Sequence, residues 1–257
     1  MIKDILIAFL IQIGSTIGLI ILFGFIINIV TKIFYSNFGS KALTVCKATG
    51  VFGTPVHELS HALFCLLFGH TIVELKLYAP NDDHGTLGYV NHTYNPKNIY
   101  HRIGNFFIGI APIVIISTIL YLLSLVFLPG MMSSITGLVR GVPQAGLNNI
   151  KAIFTTIFSY MGSWKFWVYI LISTLLCLHM TLSGADIKGA ASGIIFVLLI
   201  FLILDVILAL IGKLDLLTGW VLSFSGVLIT IFSLSIAIGL VAVLFSLIIR
   251  ILFRKVL

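Results

Sequence analysis

His57, Glu58 and His61 form the run His-Glu-Leu-Ser-His within an otherwise apolar stretch, residues 53–68. On a helix, positions i and i+4 share one face, so two imidazoles can grip one metal ion while the Glu between them takes a proton from water on that ion. The chemistry this spacing could do is metal-assisted hydrolysis. Seven His and two Glu in 257 residues would produce the pattern by chance roughly 0.0015 times in the chain. A carboxylate at the centre of a bilayer costs about 2.5–3.5 kcal/mol on insertion scales, so an acid kept in such a stretch is a functional candidate.

Catalytic zinc commonly has three protein ligands and one open position, so two His leave the site incomplete. The metzincin extension would need Gly at 64 and His at 67, where Phe64 and Leu67 stand. Thermolysin-type enzymes and the multi-span CAAX-processing proteases share the short motif but take a distal helical Glu as third ligand. Glu74 is the other Glu of this chain, and it follows the motif too soon to be one. Asp186, Asp205 and Asp215 lie within or beside the later apolar runs, with His179 as a further donor. Asp186 is the best candidate, because Ser183-Gly-Ala185 before it permits a broken helix and close approach to a neighbour. It could instead be a helix cap, and Asp205 a partner of the ligands, a proton-path residue or an alternative ligand. A hydrogen-bonding role near the ligands is the expectation for His179.

The elements that must position these residues are membrane helices. A chain 60% hydrophobic and 9% charged differs from a soluble domain, in which about 25% of residues are charged. Apolar runs at 5–31, 44–69, 104–128, 166–184, 189–212 and 219–249 can each supply the ~20 residues a crossing needs, which predicts about six transmembrane helices in an all-α polytopic membrane protein. The first run is too long for the apolar part of a signal peptide and reads as a retained helix. The net charge of +7 is scattered over short loops and ends, so no nucleic-acid face is expected. Lys3, Arg250, Arg254 and Lys255 favour cytoplasmic termini in the cell membrane, although the loop charges are nearly balanced.

One integral membrane domain, 1–257, is the expectation, with its core at 44–195. In the polar excursion 70–103, Thr71–Tyr78 alternates like a strand, Pro80–Gly85 turns, and Thr86–Asn91 returns, predicting a small β-hairpin after the second helix. Its edge could bind an extended peptide. His70, His84, His92 and His101 read as exposed, and Asn91, Asn95, Asn98 and Asn105 as possible substrate partners. The segment 130–165 reads as an interfacial connector, with Gly137, Gly141, Pro143 and Gly146 early and Arg140, Lys151, Tyr160, Trp164 and Lys165 at headgroup level. Cys46, Cys65 and Cys177 form no Cys-x-x-Cys pair and read as small packing residues.

Taken together, the His57–His61 motif, the Pro-containing entry Gly109-Ile-Ala-Pro112 of the third span and Asp186 make residues 44–195 resemble the site-2 protease family of intramembrane zinc metalloproteases. The family joins an early His-Glu-x-x-His helix to an Asp from a later Leu-Asp-Gly segment. Here Ile187 follows the Asp and Gly comes at 189. The resemblance implies Zn²⁺ on His57, His61 and Asp186, Glu58 as the catalytic acid-base, and a transmembrane or membrane-retained peptide in the lipid bilayer as substrate. A metal-binding membrane transporter or sensor without protease activity is the alternative reading of the same side chains.

Overall fold

The computed structural model describes residues 1–81, 86–140 and 147–253. Residues 82–85 of the expected turn, His84 among them, lie outside the described residues, as do Gly141, Pro143, Gly146, Arg254 and Lys255. The chain begins with α1 (Ile2–Ile13) and α2 (Leu19–Ser36), joined through a π-turn at Gly14–Gly18 into one continuous 35-residue apolar rod. Ser15 and Thr16 return their hydroxyls to the Gln12 carbonyl at 3.3 and 2.7 Å, which perturbs the helical ladder at that point. A 3₁₀ turn at Gly39–Lys41 leads into α3 (Ala42–Leu67), the helix that carries the His-Glu-Leu-Ser-His run.

The end of α3 is a Schellman turn. Gly69 adopts φ +71°, its N–H bonds the Leu66 carbonyl at 3.2 Å, and the His70 N–H bonds that of Cys65 at 2.8 Å. The chain then forms the expected hairpin, β1 (Thr71–Lys76) antiparallel to β2 (Tyr89–Thr93), with Thr71 opposite Thr93, Ile72 opposite His92 and Lys76 opposite Tyr89. A bulge between Ile72 and Glu74 shifts the register.

Asn98 caps α4 (Ile99–Phe127) by accepting the Tyr100 N–H at 2.9 Å. The expected connector is itself helical, as α5 (Met131–Arg140) and α6 (Leu147–Met161), which pack on each other. The chain continues through α7 (Trp164–Cys177), α8 (Gly184–Leu210) and the 39-residue α9 (Leu214–Leu252).

Among the described residues, four helical stretches are long and apolar enough to cross a membrane: Ile2–Ser36, α4, α8 and α9. These correspond to four of the six apolar runs. The other two differ for physical reasons. Thr54, His57, Glu58, Ser60 and His61 interrupt the apolar character of α3, and α7 has 14 residues, about 21 Å at 1.5 Å per residue.

Ile27 of α2, Ile113, Ile116 and Leu120 of α4, Tyr169 and Leu176 of α7, and Phe232 of α9 meet in the main core. Large apolar side chains also cover the outside, including Val126, Trp220 and Ile251, as expected where lipid rather than water is the solvent. Glycine sets the closest helix approach. A Cβ on Gly193 of α8 would lie 2.6 Å from the Arg102 carbonyl oxygen of α4, and one on Gly109 of α4 would lie 2.7 Å from the Ala190 nitrogen of α8. Without side chains at these two positions α4 and α8 pack backbone to backbone, and Asn105 donates across them to Ser192 at 3.1 Å.

Candidate metal centre

One helical turn separates His57 from His61, and their Nε2 atoms stand 3.1 Å apart. Both rings are held from behind. His57 donates its Nδ1–H to the His179 carbonyl at 2.6 Å, and His61 donates its own to the Ile108 carbonyl at 2.7 Å. A carbonyl can only accept, so both Nδ1 atoms carry hydrogen and both Nε2 atoms face forward, the nitrogens a metal would take. This is the outfit of a metal-ligating histidine.

The second acceptor has a cause in the sequence. Ile108 lies four residues before Pro112, whose nitrogen has no hydrogen, so the Ile108 carbonyl has no helical donor at that place. His61 takes the vacancy. In the same four-residue entry, Gly109 admits the first turn of α8, because a Cβ there would collide with the Asp186 carbonyl oxygen. Gly53 of α3 does likewise for the other acceptor, since a Cβ there would come within 2.6 Å of the His179 ring.

Asp186 caps α8 and also faces the two histidines. As the third residue of α8 it completes a capping box with Ser183, its Oδ2 accepting the Ser183 N–H at 2.6 Å while its N–H bonds Ser183 Oγ at 3.2 Å. Its Oδ1 stands 3.2 Å from His61 Nε2, and Oδ2 stands 3.8 Å from His57 Nε2. One donor atom from each of His57, His61 and Asp186 lies within 4.8 Å of the other two. Two imidazoles with Nε2 forward and one carboxylate suit zinc, whose catalytic sites use such N and O donors. These residues could hold it.

The group opens on a cleft of about 260 Å³. Glu58 lines it beside the two histidines, β2 supplies one wall through Val90, Asn91 and His92, and α4 supplies Asn105. Of the four asparagines considered, Asn91 and Asn105 therefore face the cleft. Asn95 bonds the Lys97 N–H at 2.9 Å and Asn98 caps α4.

The other candidate donors are engaged elsewhere. Asp205 is fully buried and accepts from Gln12 Nε2 at 2.7 Å, tying α8 to α1. Asp215 opens α9 in its first turn. His179 offers its backbone carbonyl to His57 while its ring is held by Thr49 at 2.9 Å and Tyr35 at 3.2 Å.

The surface expectation for His70 and His92 is corrected. The Schellman turn folds His70 back under the hairpin, where it is buried, and His92 is half-buried beside it. Burial lowers the pKa of both imidazoles from the ordinary histidine value. The two acceptor carbonyls escaped the reading of side-chain types, and Ser183 entered it only as part of a helix break. The signal for Ile108 was its position four residues before a proline.

Residues 50–140 match the family model DUF3267, described as "Putative zincin peptidase". The matched stretch contains His57, Glu58, His61, both strands and the Gly109–Pro112 entry, and it ends before Asp186. No curated protein matches the chain, and no solved structure matches it. The family match supports a zinc metallopeptidase, without specifying the site-2 protease class.

Proposed function

We propose that the protein is an intramembrane zinc metallopeptidase of the site-2 protease type, cutting peptide bonds of transmembrane or membrane-retained peptides. The observation that carries this reading is the convergence of His57, His61 and Asp186 beside Glu58, in a cleft flanked by helices apolar enough to cross a bilayer. His57, His61 and Asp186 would hold zinc, which would supply the Lewis acidity that polarises a peptide carbonyl and activates water. Glu58, which lines the cleft beside the two histidines, would accept a proton from the attacking water on its carboxylate and pass it to the leaving amine. The Ile108 and His179 carbonyls keep the two imidazoles in one tautomer and one orientation throughout. Asp186 keeps its own orientation through the Ser183 N–H.

Short α7 supports placing the reaction below the membrane surface. At about 21 Å it falls short of a hydrocarbon core of ~30 Å, which favours a position within the bilayer for Asp186 in the first turn of α8. A helical substrate hides its carbonyls in its own hydrogen bonds and must unwind to be cut. β2 borders the cleft, and among the described residues its sheet partner is β1 on one side, so its other edge could receive an extended segment.

The test compares membrane peptides accumulating with the active protein and with Glu58→Gln. A precursor stabilised only by the variant supports the reading and names the substrate. Equal cleavage by both proteins removes it.

A further inference from the structure

Beyond the first metal group, the chain builds a second set of donors at the C-terminal end of α3. In a Schellman turn the third residue from the helix end meets the second residue past the cap, a pair that is usually hydrophobic. Here that pair is Cys65 and His70, brought together by the 2.8 Å bond between the His70 N–H and the Cys65 carbonyl. β2 adds His92. One donor atom from each of Cys65, His70 and His92 lies within 4.8 Å of the other two, the same closeness that groups His57, His61 and Asp186. We propose that Cys65, His70 and His92 form a second zinc site, which fastens β2, the wall of the cleft, to the metal-bearing helix.

The histidine geometry repeats that of the first group. His70 donates its Nε2–H to the His101 carbonyl at 2.9 Å, which turns Nδ1 toward His92, just as the bonds of His57 and His61 turn Nε2 toward Asp186. That Nδ1 stands 3.0 Å from His92 Nδ1, against 3.1 Å between the paired nitrogens of the first group. Tyr94 stacks on the His70 ring at 4.9 Å and 16°, fixing its plane. The ring is thus set in place before any ion arrives.

Donors on a tetrahedral ion at 2.0–2.3 Å lie roughly 3.3–3.8 Å apart, a spacing these side chains reach by small shifts. A thiolate with two imidazoles favours zinc over magnesium or calcium, which prefer oxygen. Cys65 and His70 are buried and His92 lines the cleft, so the group would join the end of α3 to the cleft wall. The simple alternative is a hydrogen bond from His92 Nδ1–H to His70 Nδ1, with Cys65 as packing.

The experiment uses the full chain purified in detergent, saturated with zinc, desalted and assayed for zinc per chain, with a parallel preparation loaded with cobalt. Two zinc ions per chain are expected in the wild type, one in Cys65→Ser, one in a His57→Ala/His61→Ala variant, and none when these changes are combined. Cobalt should give a thiolate charge-transfer band that survives His57→Ala/His61→Ala, disappears in Cys65→Ser and shifts in His92→Gln, a variant that keeps the cysteine. A single zinc that is lost entirely with His57 and His61, without a thiolate band, would overturn the second site and leave the hydrolytic reading intact. Two ions with unchanged cleavage by Glu58→Gln would do the reverse.

Discussion

His61 and Pro112 are joined through one carbonyl: Pro112 cannot donate to Ile108, and the Ile108 oxygen instead receives the His61 Nδ1–H at 2.7 Å. A helix defect in α4 thereby orients a metal-ligand candidate on α3. Pro112→Ala restores a backbone N–H that competes for the same oxygen. Loss of such an outer hydrogen bond lowers metal affinity about 10- to 100-fold, and chelator competition on the folded variant measures it. Affinity equal to the wild type would show that the His61 orientation does not depend on Pro112.

Glu58→Gln separates binding from chemistry. The ligand set is untouched, so zinc per chain should be unchanged, while hydrolysis should fall by about 10²- to 10⁴-fold with loss of the acid-base group. In the unaltered protein, a chelator should abolish cleavage and added zinc should restore it. Elemental analysis alongside a peptide-cleavage assay reads both outcomes.

Asp186→Asn and Asp205→Asn should diverge. In Asp186→Asn the new amide oxygen can still accept the Ser183 N–H, so α8 keeps its start while the charge facing His61 is gone, and zinc should drop sharply. At Asp205 the change disturbs the bond to Gln12, so the thermal midpoint in detergent should fall with zinc content unchanged. The effect is of the order of the ~0.6 kcal/mol average for hydrogen bonds between membrane helices. Zinc lost from the Asp205 variant and kept in the Asp186 variant would reassign the third ligand.

Gly109→Ala should be costly and Gly226→Ala should not. The new methyl at 109 has the Ala190 nitrogen at 2.7 Å and backbone on both sides of the contact, whereas nothing lies within 4 Å of a Cβ at 226. Overpacking of this kind costs about 1–3 kcal/mol, and here it also pushes Asp186 away from the histidines. Thermal unfolding and zinc content should fall together for Gly109→Ala.

The helical, apolar character of the chain follows from its residues alone, because membrane crossings need long unbroken apolar runs that no fold can disguise. So does the pair His57 and His61 with Glu58 between them, because a helix repeats locally and four residues always make about one turn. The hairpin after α3 was legible in the alternation of Thr71–Tyr78.

Packing in three dimensions governed whatever depends on distance along the chain. It brought Asp186 to His61 across 125 positions through glycines whose effect is the absence of a side chain, and it sent Asp205 to Gln12 instead. It chose the carbonyls of Ile108 and His179 as acceptors, which no residue type announces, since every residue carries one. It also buried His70 at the end of α3, where a left-handed Gly69 turns the chain back on itself and a histidine expected at the surface meets Cys65 and His92.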